Sequence, residues 1–337
     1  MKNLPIVWSR FLFLFLLAAL TSACSNPEPP VRQLKFSVVT APDSSIYKAA
    51  VKFSELVEAR TKGRLTITVH PNAELAGGNQ LKEFEMLRSG DIDFTYDSNM
   101  FYATLDKKFG VISLPWIFDG QDNVDRFLGG EIGAELLELT RDHGIVGLAY
   151  GENGFRQITN SKREIRQPDD LKGLRLRVPN VPIWFSILKS LGAEPTIMTW
   201  PSVYKALQED VIDGQENPLD IIVSYKLFFI QRYITLWNYL YDAFILGVNA
   251  KLYDSFDAET KKILRQAALE ASAYQMQLSR EAARNQKEVL KEKDMVVTEL
   301  TAEELGAFRE RMQPIYTEYE SEVGKDLVDK VIRLGKR

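Results

Sequence analysis

Between Asp257 and Asp294 the chain contains neither glycine nor proline. Apolar residues Ile263, Ala267, Leu269, Ala273, Met276 and Leu278 recur through that stretch among many charges. This is the pattern of one long amphipathic helix, or of two nearly continuous ones. A helix of about 35 residues is longer than a small domain is wide, so it should brace two bodies rather than cap one. The length of 337 residues agrees, being enough for two domains that each bury a core. A composition 45% hydrophobic and 26% charged, with a single cysteine, excludes a disordered tail, a collagen and a disulfide-stapled mini-protein.

Charge narrows the class further. The 42 Lys and Arg stand against 46 Asp and Glu, a formal net charge of −4, and no basic block occurs. A phosphate-tracking surface for nucleic acid is therefore not expected. Only His70, His143 and Cys24 could supply imidazole or thiol, so no Cys/His metal cluster can be assembled and no metal or other cofactor is expected.

The N-terminus speaks to compartment. Lys2 and Arg10 precede an unbroken apolar run from Phe11 to Leu20, followed by Thr21-Ser22-Ala23 and then Cys24. The run is too short to span a bilayer and reads as a secretory signal over residues 1–23. No later window approaches 18 apolar residues, so the mature chain should be soluble. Cys24 stands where lipoprotein signals carry the cysteine that becomes acylated, and a lipid anchor there is the expectation. The alternative is simple cleavage after Ala23, leaving a free thiol. Residues 24–33 form a linker, with three prolines between Ser25 and Arg32.

Beyond the linker, strand and helix signals alternate. Leu34–Thr40, Arg64–His70 and Ile92–Tyr96 read as strands, with helices from Ser45 to Gly63 and over Gln80–Ser89, the latter stopped by Gly90. This βαβαβ rhythm predicts a mostly parallel sheet covered by helices. Similar signals recur as strands near Ile145–Tyr150 and Leu174–Val178, and as helices over Ile183–Leu191 and Ser202–Gln208. Thr301-Ala-Glu-Glu304 is a capping box that opens another helix.

Catalytic signatures are missing. There is no G-x-S-x-G elbow and no phosphate loop, and Gly129-Gly130-Glu-Ile-Gly133 lacks dinucleotide spacing. His143 reads as a helix-terminal residue and His70 as the end of a strand. Asp169-Asp170 and Glu303-Glu304 sit at helix starts, where the dipole explains them. An enzyme is not expected. What stands out is polar residues at strand exits. In Leu174-Arg175-Leu176-Arg177-Val178-Pro179-Asn180 the two arginines share one face, and Arg177 sits at the carboxyl end, where open α/β sheets bind ligands. The plainer alternative is two solvated arginines on an edge strand. Gly151-Glu-Asn-Gly-Phe-Arg156 places another arginine beside what reads as a flexible glycine turn. Asp213-Gly-Gln-Glu-Asn217-Pro218 forms a third polar cluster.

The runs GENGFRQITNSKREIRQPDDLKGLRLRVPN and LGAEPTIMTWPSVYKALQEDVIDGQENPL closely resemble the solute-binding subunits of TRAP transporters, the DctP-type family. Shorter matches occur at Tyr47-Lys-Ala-Ala, Asn72-Ala-Glu-Leu-Ala and Ser89-Gly-Asp-Ile-Asp-Phe, so the resemblance runs from Leu34 to about Gly324. It implies a two-domain α/β periplasmic solute-binding fold with a hinge and a long bridging C-terminal helix. The expected division is 34–153 with 243–282 in domain I, and 154–242 with 283–337 in domain II. It also implies a monomer that binds an organic acid and delivers it to TRAP membrane permease subunits.

In that family the arginine of L-R-V-P clamps the substrate carboxylate, which falls on Arg177; the neighbouring motifs fall on Arg156 and Asn217. A guanidinium presents a fixed fork that matches both carboxylate oxygens, so the carry-over is physically sensible. Glu152, Asn180, Trp200, Asp97 and Gln80 are pocket neighbours by loop position and resemblance. Because Glu152 suits a hydroxyl group and would repel a second carboxylate, a sugar acid such as a uronate or aldonate is favoured over a C4-dicarboxylate. Sialate is the less expected alternative, because Asp97-Ser98 falls where sialate-binding members carry a differently spaced carboxylate. A ligand-sensing subunit for a signalling partner is the alternative use of the same fold.

Overall fold

The computed structural model describes residues 31–335. The signal, Cys24 and most of the proline-rich linker lie outside the described residues.

Ten strands build the sheet: β1 (Arg32–Ser37), β2 (Leu65–His70), β3 (Phe94–Ser98), β4 (Ile145–Asn160), β5 (Arg175–Val178), β6 (Glu194–Ile197), β7 (Gly214–Pro218), β8 (Tyr233–Leu236), β9 (Tyr241–Asn249) and β10 (Val296–Glu299). Their order is β2-β1-β3-β9-β4-β7-β5-β6, with β8 paired to β4 and β10 to β8. The outer arms are parallel: β1 with β2 and β3, β5 with β6 and β7. The centre is not. β9 runs antiparallel to both β3 and β4, and β4 runs antiparallel to β7. The parallel expectation thus holds for the arms and fails where they join. β9 escaped the sequence pattern because all nine of its residues are buried, so it shows no alternation of polar and apolar.

β4 joins the two arms. It was expected to end near Tyr150 in a flexible glycine turn, yet it continues for 16 residues. Irregularities between Gly147 and Ala149 and between Glu152 and Gly154 re-aim it from β9 towards β7. The glycines serve close approach rather than flexibility. A Cβ on Gly151 would collide with the Tyr96 hydroxyl, and Gly154 has φ +112°.

Helix boundaries follow local chemistry. Ser44 accepts from the Tyr47 amide at 3.1 Å to start the helix Ser45–Arg60, and Asn79 accepts from Lys82 at 3.0 Å to start Gln80–Ser89. Gly90, at φ 93°, closes the second. Thr301 and Glu304 form the expected capping box. The glycine-free stretch is one helix, Ala258–Glu292, capped by Asp257. Its buried stripe is small and polar, running through Leu264, Ala267, Ala268, Ala271, Ser272, Gln275, Ser279 and Gln286, whereas Leu269 is 55% exposed. Small residues allow it to lie close against the helix Ser45–Arg60 and across β4. Among the described residues, no helix is long and apolar enough to cross a membrane.

Candidate functional site

A cleft lies where the two arms face each other. Strand ends supply its polar wall: Ser98 closes β3, Arg177 lies near the end of β5, and Asn217 is in β7. Asn153 and Arg156 come from β4, and Asp242 from β9. Gln80 enters from the start of its helix, while Trp200, Met100, Phe101 and Phe244 give apolar surface. Of the residues chosen from sequence, Arg177, Arg156, Asn217, Trp200 and Gln80 are brought together here.

Arg177 is 3% exposed. Its Nε donates to the Met198 carbonyl at 2.8 Å, and its guanidinium lies 5.5 Å from the centre of the Trp200 ring. Among the described residues no carboxylate oxygen lies within 4.0 Å of it. Burial pushes it down to about 9, with Arg156 adding to the effect and Glu216 opposing it. A buried cation in this state has donors to spare and a strong preference for an anion.

Arg156, also 2% exposed, is differently placed. Its Nε donates to Glu216, and its Nη2 donates to Glu216 Oε1 at 2.9 Å, to the Glu216 carbonyl at 2.7 Å and to Asn217 Oδ1 at 3.0 Å. Its Nη1 donates to Asp242 Oδ2 at 2.9 Å. Burial works against its charge, but Glu216 and Asp242 outweigh that and hold it firmly protonated. Arg156 thus lines the cavity while committed to two carboxylates of the protein. Asn217, whose Nδ2 donates to Gln215 Oε1 at 2.6 Å, is part of the same network.

Three sequence candidates lie elsewhere. Successive residues of a strand point to opposite faces, so Asn153 reaches the cavity while Glu152 turns away. Glu152 accepts from Gln121, from the Tyr241 hydroxyl at 3.3 Å and from Arg280 Nε at 2.9 Å, beside a second cavity of about 810 Å³. Burial raises its pKa and Arg280 pulls it back. Asp97 is likewise the inward neighbour of Ser98, 1% exposed behind the cavity wall. Asn180 is exposed to solvent.

Asp242, Asn153, Ser98 and Thr40 line the cavity and were not foreseen. For Asp242 a signal existed: a lone acid in the apolar run Leu240 to Leu246 must be paired if buried. It accepts from Arg156, from Asn153 at 2.7 Å and from Ser98. Across the cleft, the Trp200 amide donates to Gln80 at 3.3 Å, the Ala41 amide to the Tyr225 hydroxyl at 3.1 Å, and Ser45 to Asp220 at 3.1 Å. Val39 and Ala73 also join an apolar cluster with Trp200, Val203 and Ile221. The arms are therefore closed on each other.

Residues 36–322 match the bacterial extracellular solute-binding proteins, family 7 (DctP). The chain belongs to that family. The C4-dicarboxylate-binding periplasmic protein DctP of Rhodobacter capsulatus is 33% identical over 317 residues, covering 92% of this chain and 93% of that one. Among solved structures, a TRAP periplasmic solute-binding protein from Ralstonia eutropha H16 with bound (S)-2-acetolactate is 34% identical, with TM-score 0.88, covering 90% of this chain and 99% of that one. The sugar acid binding protein DctPAm of Advenella mimigardefordensis, in complex with galactonate, is 34% identical, with TM-score 0.87 and coverage of 91% and 98%. Proteins of family 7 are periplasmic binding proteins, and those of TRAP systems work with membrane permease components. This family-7 chain has the two-armed α/β architecture and the long helix that the resemblance implied.

Proposed function

We propose that this family-7 protein captures a small hydroxylated monocarboxylate between the arms of its sheet, seats the carboxylate on Arg177 and hands the acid to a membrane permease. The observation that carries this reading is the buried Arg177 guanidinium, which among the described residues has no carboxylate within 4.0 Å.

The same network argues for one carboxylate rather than two. A dicarboxylate needs a second cation, and Arg156 is already outweighed by Glu216 and Asp242. The earlier reason for preferring a sugar acid rested on Glu152, which is bound to Arg280 instead. Hydroxyl groups would find Asp242, Asn153 and Gln80, all on the cavity wall. The galactonate and acetolactate complexes of the two similar proteins are of this chemical kind, whereas the R. capsulatus relative is named for C4-dicarboxylates.

Residues 34–153 with 243–282, and 154–242 with 283–337, move as the two domains, with β4 and the long helix as connections. The protein acts as a monomer on the outer side of the cytoplasmic membrane, is held there by a lipid on Cys24, and returns its ligand chemically unchanged. Partition of the wild type into detergent, lost on Cys24→Ser, checks the anchor.

A thermal-shift screen of aldonates, uronates, 2-hydroxy acids and succinate tests the ligand class. A ligand at about 100 times its Kd adds about 2.7 kcal/mol. Stabilisation by a hydroxylated monocarboxylate, abolished by Arg177→Ala, is the expected result. Stabilisation by succinate alone would overturn the monocarboxylate preference. Stabilisation by no acid, or one insensitive to Arg177→Ala, would overturn the reading of the site.

A further inference from the structure

Glu83 and Asp97 are carboxyl groups in the core directly behind the cleft, 0% and 1% exposed. Each adjoins a residue of the cavity wall. Gln80 lies one turn before Glu83 on the same helix, and Ser98 follows Asp97 on β3.

Strand register gathers other oxygens beside them. Ser37 of β1 is in register with Thr95 of β3, and Thr95 with Gly247 of β9. Residues in register share a face, and Asp97, two residues on from Thr95, shares it too. Ser37 donates to Glu83, and a Cβ on Gly247 would lie 2.7 Å from the Tyr102 hydroxyl. Neighbouring strands are about 4.8 Å apart, so the glycine makes room for Tyr102 in the same patch. There Glu83 Oε2 and Tyr102 Oη are buried with no hydrogen-bond partner among the described residues, and Asp97 Oδ2 and Thr95 Oγ1 are buried beside each other, Thr95 partly offsetting the burial of Asp97.

Among the described residues no cation pairs with either carboxyl. Burial raises Glu83 well above the usual carboxylate range, and the charge of Asp97 raises it further. Burial likewise lifts Asp97 to about 7. The surrounding titratable groups offer no relief. Tyr102 and Tyr150 are neutral phenols, His70, in register with Ser37 on β2, is engaged by Glu74 at 2.7 Å, and Asp242 lies beyond Ser98 on the cleft side. Two buried carboxyls so placed cannot both ionise freely.

Taking the cleft as an anion site, as above, we propose that Glu83 and Asp97 form a proton-binding site, and that capture of the ligand draws a proton onto it. An ionised pair sets negative charge on the far side of Ser98 and Gln80 from the incoming carboxylate, and a neutral pair does not. The liganded protein therefore holds its proton more tightly, and affinity falls as pH rises through neutrality.

The test is calorimetry in buffers of different ionisation enthalpy between pH 6 and 8.5, using the acid found in the screen. Expected are uptake of up to about one proton per ligand near pH 7.5 and a Kd that weakens by at most about tenfold per pH unit. Asp97→Asn keeps the shape, leaves only Glu83 to titrate and should shrink both effects, and adding Glu83→Gln should abolish them while binding stays as in the wild type at pH 6. Absence of proton uptake in the wild type, or equal uptake in Asp97→Asn, would overturn the proposal. Glu83→Gln serves as the second variant should Asp97→Asn not fold. If no acid binds, the cleft reading fails separately and the unliganded protein still tests the pair. Asp97 titrates near 3.9 when unfolded, so the wild type should lose stability relative to Asp97→Asn between pH 5 and 8. Parallel melting curves across that range would remove the pair as a proton site.

Discussion

Arg175 and Arg177 leave the same face of β5, and among the described residues only Arg175 meets a carboxylate. Arg175 donates to Asp213 at 2.6 and 3.1 Å, at a position where its side chain is 40% exposed. Arg177, two residues nearer the strand end, is buried on a backbone carbonyl and an indole face. Arg177→Ala should weaken ligand binding by roughly 2–5 kcal/mol, about 30-fold to several-thousand-fold in Kd. Arg177→Lys keeps the charge but loses the fork, and should also bind markedly worse. Arg175→Ala should bind normally, its loss confined to a surface pair. Calorimetry on the three variants decides it, and equal losses at Arg175 and Arg177 would put the carboxylate elsewhere.

Glu216 accounts for the state of Arg156. It takes three hydrogen bonds from that guanidinium, counting its carbonyl, and one from Tyr239 at 2.7 Å, with no exposed surface. Removing one partner of a buried pair leaves charge uncompensated, so Glu216→Gln should lower unfolding stability by about 3–5 kcal/mol. Denaturant titration measures this, and a loss below about 1 kcal/mol would show that Asp242 alone suffices for Arg156.

Gly151→Ala probes the bend of β4. The added methyl would meet the Tyr96 hydroxyl, which donates to Ser272 at 2.8 Å, and the Gln275 side chain, which clasps the backbone of Glu152. Overpacking of this kind costs about 1–3 kcal/mol. The expected result is a lowered melting temperature together with altered ligand affinity, because the same strand carries Asn153 and Arg156. Unchanged stability would mean that Tyr96 moves aside freely.

Closure brings its own expectation. The contacts of Gln80 with Trp200 and of Ala41 with Tyr225 cross the cleft, so ligand-free protein should open and scatter with a larger radius of gyration than the liganded form. Equal radii with and without a confirmed ligand would indicate a pocket that stays closed.

The sequence disclosed what depends on near neighbours. The helices from Ser45 and Gln80 and the stop at Gly90 were readable from local spacing, and the structure adds the caps at Ser44 and Asn79, each three residues from its partner amide. The long helix was readable from an absence of breakers. β9 was not, since full burial erases the period-two pattern. Arg177 could be singled out by its place at a strand end. The commitments of Arg156 and Glu152 could not be read, since Asp242 and Arg280 lie 86 and 128 residues away and nothing local announces them. The glycines of β4 misled for a related reason: Gly151 answers to a tyrosine hydroxyl from another strand.

Burial of Arg177 has a last consequence, for traffic rather than affinity. A receptor that closed while empty would present its partner with a loaded-looking shape and no cargo. Closing without an anion strands a guanidinium away from water, so that futile state is the costly one. On the reading proposed above, the arginine that recognises the cargo would thereby also vouch for it: shape would become a trustworthy report of occupancy, and empty molecules would be kept from competing with full ones for the permease.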